Sequence, residues 1–404
     1  MTTRPLLAES RPPVLRALVL FDIRNAAQRR IAILDHVRFL DHAADGDVQV
    51  GYVNMAEQPA FDPAWLEYDV IVLHTTLLCW RWHPQFPMLA GQLEWLGRYE
   101  GIVAAMPQDE YDHAHTLDDW LTMLKVQVIV TCFGEAPRAL LYPRMHNSAY
   151  FVQALTGYLH PARIPVARAS AIPQAKRTVD VVYRANNLPM WFGWLGHIKA
   201  RISTEAARVL AGTRLVLDVS IRPEDTVLGD AWLQFVGASR AILGSESGSS
   251  VLDRRGEVAT HIRTLLAEYP GLTFEMADAL SAGELTRHHF AALGPRHLEA
   301  IMTGTVQVLV EGEYSGLFKP WEHYIPVKRD LSDLHELPER LADHVMVQRI
   351  VDRSIADFVD SGAFGYDRFA THFLDVIKLF RSVQADSATT ALASPMGASL
   401  SNRQ

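Results

Sequence analysis

The chain has 404 residues, 49% of them hydrophobic, 21% charged and 9% aromatic. This globular composition has material for two domains of ~150–200 residues and excludes disordered, fibrous and collagen-like chains. A net charge of −8 argues against a general nucleic-acid binder, and two cysteines, Cys79 and Cys132, are too few for a disulfide framework or a Cys-rich zinc site.

Residues 1–13 read as a polar, Pro-containing flexible arm. Val14–Phe21 is predicted as a buried strand. Asp22 interrupts this short apolar run, so it does not read as a signal peptide. Asn25–Ala43 follows with Ile31, Leu34, Val37 and Leu40 at helical spacing. Further strands are predicted at Val48–Val53, Tyr68–Leu73, Gly101–Ala105 and Val126–Thr131, with helical stretches at Trp82–Tyr99 and Thr116–Leu124. Strands alternating with helices imply a parallel sheet covered on both faces. Residues 14–160 are therefore expected to form one Rossmann-like domain.

Residues 161–176, rich in proline and without periodicity, are expected to be a linker. A second α/β domain is predicted over 177–382. Its strands are Val179–Tyr183, Thr213–Val219, Ala241–Leu243, Leu272–Glu275 and Val306–Val310, and its helices Leu195–Leu210, Arg255–Leu266 and Arg296–Thr303. Residues 335–382 are helical in pattern and close that domain. From 383 to 404 the composition turns to Ala, Ser and Thr, which reads as a disordered tail. No apolar run approaches the ~20 residues of a membrane helix, so any membrane contact would be peripheral.

Neither GxGxxG after the first strand nor GxxxxGK[ST] occurs, so neither a dinucleotide fingerprint nor a P-loop is present. Four segments could carry chemistry. In the first, Gly294-Pro295 should open a helix that sets Arg296 and Glu299 one turn apart, and the loop 311–316, with Gly312, Tyr314, Ser315 and Gly316, follows a strand. The second is the Gly/Ser-rich loop 243–253, with Glu246 and Ser247. The third pairs Arg184 at a strand end with Lys199 on the next helix, two cations suited to a diphosphate. The fourth is the loop 108–113, where Asp109 or Glu110 could act as a general base. Against these stand ordinary surface ion pairs, turns and helix N-termini. No segment has metal-ligand spacing.

In their order, the segments LGSESGSSVLD (243–253), GPRHLEAIMTGTVQVLVEGEYSG (294–316) and KPWEHYIPVKRDLSDL (319–334), with Arg184 and Lys199, resemble GT-B glycosyltransferases of the group 1 kind. The first half is similar too, through LDHVRFL, VGYVN, YDVIVLH, QDEY and LTGYL. The resemblance covers most of residues 14–382 and implies two Rossmann-like domains facing each other across a cleft. It implies a nucleotide-diphosphate sugar as substrate rather than a cofactor, no metal, and a glycan, lipid-linked or small-molecule acceptor; the acidic charge leaves no nucleic-acid partner expected, and the two cysteines fit a reducing, cytoplasmic setting. The resemblance implies that Arg184 and Lys199 hold the diphosphate and Glu299 the ribose. Tyr314, Ser315 and Gly316 would lie by the phosphates or sugar, and Arg296 would face the donor. Ala292 stands where many retaining members carry a first glutamate, so retention and inversion both remain open. A non-catalytic binding scaffold and a nucleotide-sugar epimerase are the competing expectations.

Overall fold

The computed structural model describes residues 14–25, 30–44, 46–58 and 60–393. Six strands build the first sheet: β1 (Leu15–Phe21), β2 (Val48–Asn54), β3 (Val70–His74), β4 (Ile102–Met106), β5 (Val128–Thr131) and β6 (Tyr150–Gln153), in the order β2-β1-β3-β4-β5-β6. All pair in parallel. Central strands buried on both faces are near-continuously apolar, as in β3, where Val70 to Leu73 are apolar and every residue, His74 included, is buried.

Seven more strands follow: β7 (Val179–Arg184), β8 (Leu217–Ser220), β9 (Ser239–Gly244), β10 (Ser247–Ser249), β11 (Phe290–Ala292), β12 (Val306–Val310) and β13 (Ile325–Val327). Five form a second parallel sheet, β13-β12-β9-β7-β8, and β10 pairs antiparallel with β11. The strand order reverses between β1 and β3, and again between β7 and β9. Open α/β sheets present a crevice at such reversals, beyond the carboxyl ends of the strands.

Several expectations need correction. Leu272–Glu275 is not a strand. Thr273 caps the helix Phe274–Leu280 there, its side chain accepting from the Met276 amide. Residues 161–176 are more than a linker: the helix Arg163–Ser170 buries Ala167 completely in the second domain's core. Of the segment 25–43, residues 26–29 lie outside the described residues, and the part from 30 to 43 holds α-helix at Ile31–Val37 and a tighter turn at Phe39–His42.

The last helix, Tyr366–Ala393, runs into the stretch assigned to a disordered tail, and it does not close the second domain. Phe369, Phe373, Leu374 and Ile377 pack instead with Leu15, Val19, Phe39, Val70 and Val128 on the first sheet. The arm 1–13 and residues 394–404 lie outside the described residues.

The two domains meet through backbone as well as side chains. The amides of Ala114 and His115 donate to the carbonyls of Asp253 and Arg254, both at 3.0 Å, and the Asp253 amide donates to Tyr111 at 2.9 Å. Leu252, Phe290 and Phe192 of the second domain pack into a core of the first. On another side, Arg163 donates twice to Asp35, at 2.6 and 3.0 Å.

Candidate functional site

A cavity of about 200 Å³ opens at the second strand-order reversal. It is lined by Tyr183 to Asn186 at the end of β7, Leu243 to Ser245 at the end of β9, and Gly294 to His297 at the start of the helix Pro295–Met302. Lys199 reaches it from the helix Gly193–Val209, Trp232 from Asp230–Gly237, and Arg30 from the first domain. Four of the lining side chains are cationic and none is a carboxylate. The helix Pro295–Met302 has no side-chain cap, so its amide end adds positive potential.

The four cations differ in what they are free to do. Arg184 is held by the protein. It donates to Asp218 Oδ1 at 2.7 Å and to the carbonyls of Asp225, Tyr183 and Asp218 at 3.0, 2.9 and 2.9 Å, and Phe235 covers its face. That leaves one of the five guanidinium N–H groups. Expected to grip a phosphate, it instead fixes the end of β7.

Lys199 is half-buried, and its ammonium has no hydrogen-bond or ion-pair partner among the described residues. Its pKa is lowered to about 8, chiefly by burial, against Asp109, which raises it, and with Arg296 and Arg30, which lower it. Arg296 lies over the Trp232 ring and donates to the Arg184 carbonyl. Burial brings its pKa down to about 10.

Glu299 faces an adjoining hollow shared with Arg30, Trp232 and Arg296. Its carboxylate accepts from Trp232 Nε1 at 2.7 Å, and burial raises its pKa. At the cavity floor His297 Nδ1 and Gln307 Oε1 are 2.7 Å apart, and Gln307 Nε2 is buried without a partner. A buried orphan amide in a cavity wall is a place for a water or a ligand oxygen.

Of the expected site residues, Arg184, Lys199, Ser247 and Arg296 come together on this cavity, with Glu299 beside it. The others do not line it. Glu246 is 3% exposed. One of its oxygens accepts from the Glu313 and Tyr314 amides at 3.0 and 2.6 Å, and the other meets His289 Nε2 at 3.1 Å. Its carboxylate therefore organises the loop 311–316.

Gly312 packs against that carboxylate so closely that a Cβ would overlap it. Tyr314 is fully buried, its hydroxyl donating to the Val310 carbonyl. Ser315 Oγ accepts from the Leu293 amide at 3.1 Å. Tyr314, Ser315 and Gly316 all take positive φ, and none of them lines the cavity.

In the first domain Glu110 is 0% exposed. It accepts from Tyr142, Thr131 and the Cys132 amide, and burial raises its pKa to about 7. It cannot reach an acceptor, so the base expectation narrows to Asp109. That residue is exposed with φ of 50°, and its Oδ1 accepts from Tyr111 at 2.5 Å.

Arg30, Trp232, His297 and Gln307 were missed as site residues. Arg30 follows no motif, Trp232 stands on a helix that periodicity did not reveal, and Gln307 lies inside an apolar strand. Among the described residues no group of three or more His, Cys, Asp and Glu is placed to hold a metal, and no helix is long and apolar enough to cross a membrane.

The chain matches no family model and no curated protein. Among solved structures it is similar to HepE from Anabaena in complex with UDP-glucose, at 9% identity and a TM-score of 0.48 over 90% of this chain and 100% of that one. It is similar to sucrose-phosphate synthase from Thermosynechococcus elongatus, at 12% identity and a TM-score of 0.48 over 92% and 100%. A glycosyltransferase from Rickettsia africae aligns at 8% identity and a TM-score of 0.44 over 90% and 98%. Likeness at this level bears on neither activity nor ligand.

Proposed function

We propose that the chain is a glycosyltransferase that takes a sugar from a nucleoside-diphosphate donor. The observation that carries this reading is a cavity whose lining has no carboxylate and holds three cationic side chains, Arg30, Lys199 and Arg296, without an ion-pair partner among the described residues, beside the Asp218-paired Arg184, in a protein of net charge −8. Holding like charges together costs energy that an anion of two or three charges recovers, and a nucleoside diphosphate supplies that charge. The cavity's place at a strand-order reversal fits a nucleotide as well.

In this reading Lys199 and Arg296 take up charge as the diphosphate leaves the anomeric carbon. Preorganised cations at a leaving group lower the barrier because they need no reorientation during reaction. The aromatic face of Trp232 and the Glu299 carboxylate offer a stacking surface and an acceptor in the adjoining hollow. Asp109, across the cleft, would take the proton of the acceptor hydroxyl if the reaction inverts.

The test is thermal unfolding with UDP, GDP, dTDP, ADP and CMP, for the wild type and Lys199→Ala. A ligand that binds only the folded state raises the melting temperature. The expected result is a rise with a nucleoside diphosphate that Lys199→Ala abolishes. No rise with any of the five at millimolar concentration would overturn the reading. Donor turnover then separates the alternatives: a scaffold consumes no sugar, and an epimerase isomerises its donor without an acceptor.

A further inference from the structure

Arg30 differs from the other cations of the cavity because it belongs to the first domain. It opens the helix Ile31–Val37, which lies beside the first sheet, yet it lines both the main cavity and the adjoining hollow of the second. Its guanidinium has no hydrogen-bond or ion-pair partner among the described residues. Its field is felt by Lys199, Arg296 and Glu299.

The position of Arg30 is set from the second domain. Five residues along, Asp35 accepts both hydrogen bonds of Arg163, and the helix bearing Arg163 is packed into the second domain's core. A bidentate arginine–carboxylate pair fixes orientation as well as distance.

We propose that Arg30 is an anion ligand supplied by the first domain. The diphosphate site is then complete only when the domains are docked, and Asp35–Arg163 is the fastening that places the ligand. Asp35 acts through Arg30 and is a positioning residue. The proposal rests on the reading above only in naming the anion as the donor's diphosphate.

The experiment titrates the wild type, Arg30→Ala, Asp35→Asn and the double variant with inorganic pyrophosphate and with the five nucleotides, by calorimetry at two salt concentrations. Arg24→Ala, an exposed arginine over Trp80, is the control. Losing one charge-assisted contact should weaken pyrophosphate binding about tenfold or more. Arg30→Ala should also reduce the salt dependence. Asp35→Asn should weaken binding less, and should add nothing once Arg30 is gone, since its effect passes through that side chain.

Pyrophosphate binding by Arg30→Ala equal to the wild type would overturn the proposal, as would a wild type that does not bind pyrophosphate. If the wild type binds pyrophosphate but none of the nucleotides, and Arg30→Ala loses that binding, the cross-domain ligand stands and the nucleotide reading falls.

Discussion

The guanidinium of Arg81, 3% exposed, donates to the carbonyl of Asp109 at 2.7 Å. It also donates to the carbonyls of Asp112, Leu78 and Gln108 at 2.9, 3.1 and 3.1 Å, so one buried cation shapes the whole loop that carries Asp109. Arg81→Ala strands those carbonyls and is expected to cost about 3 kcal/mol or more in urea unfolding. Asp109→Asn keeps the loop. With an inverting reaction it should lower turnover roughly 10²–10⁴-fold while leaving nucleoside-diphosphate affinity unchanged. A loss of affinity equal to the loss of turnover would remove Asp109 from the base role.

Lys199 should make anion binding pH-dependent. Its pKa stands at about 8, so the binding-competent ammonium is lost as pH rises above that value. The dissociation constant of the nucleoside diphosphate is expected to climb with pH from about 8 upward, toward tenfold per unit. Lys199→Arg should flatten the profile, because guanidinium stays charged. Calorimetric titrations between pH 7 and 9.5 check this.

Three buried groups set opposing pH windows for stability. His36 Nδ1 and His74 Nε2 are 2.9 Å apart and both rings are buried. Burial lowers His36 from 6.5 to about 4 and lowers His74 strongly in the same direction. Their contribution is full above pH 6.5 and is lost as pH falls toward 4. Glu110 is raised from 4.5 to about 7, so its contribution is full below pH 4.5 and is lost as pH rises through 7.

Between those limits the unfolded chain binds two more protons at the histidines and one fewer at Glu110. From these groups stability should rise with pH by about 1.4 kcal/mol per unit. Glu110→Gln should make the slope about twice as steep. Urea midpoints from pH 5 to 6.5 decide it, and an unchanged slope in that variant would contradict the assignment.

Phe373 stands edge-on to Phe39, with ring centroids 5.3 Å apart, in the core of the first sheet. Phe373→Ala is expected to cost roughly 3–5 kcal/mol. Amide exchange should accelerate in β1 and β3 before it does in β9 and β12. Equal acceleration in both sheets would show that the last helix does not belong to the first domain.

Periodicity made the two sheets legible. Short, Val-rich runs such as VIVL and VQVLV, bounded by polar loops, read as strands buried on both faces. Arg296 was legible because Gly294-Pro295 opens its helix, and Lys199 because it stands on the helix that follows the strand ending at Arg184. The loop 311–316 misled because the same Gly, Tyr and Ser chemistry serves a ligand or a fold equally well. What decides its role is Glu246, 67 residues earlier than the amide of Glu313, and no local spacing encodes that meeting. Arg184 misled for the same reason, its partner Asp218 being 34 residues on. Arg30 carries no signal, since its place depends on how the two domains dock.

The return of the helix Tyr366–Ala393 to the first sheet bears on how the protein comes into being. Strands β1 to β6 leave the ribosome long before Phe369, Phe373 and Ile377 exist to cover one face of their sheet. At roughly 5–20 residues per second the interval is on the order of tens of seconds. Through that time the sheet face that this helix covers in the finished fold stays apolar and open. Of the two domains, the one synthesised earlier is thus the one finished later.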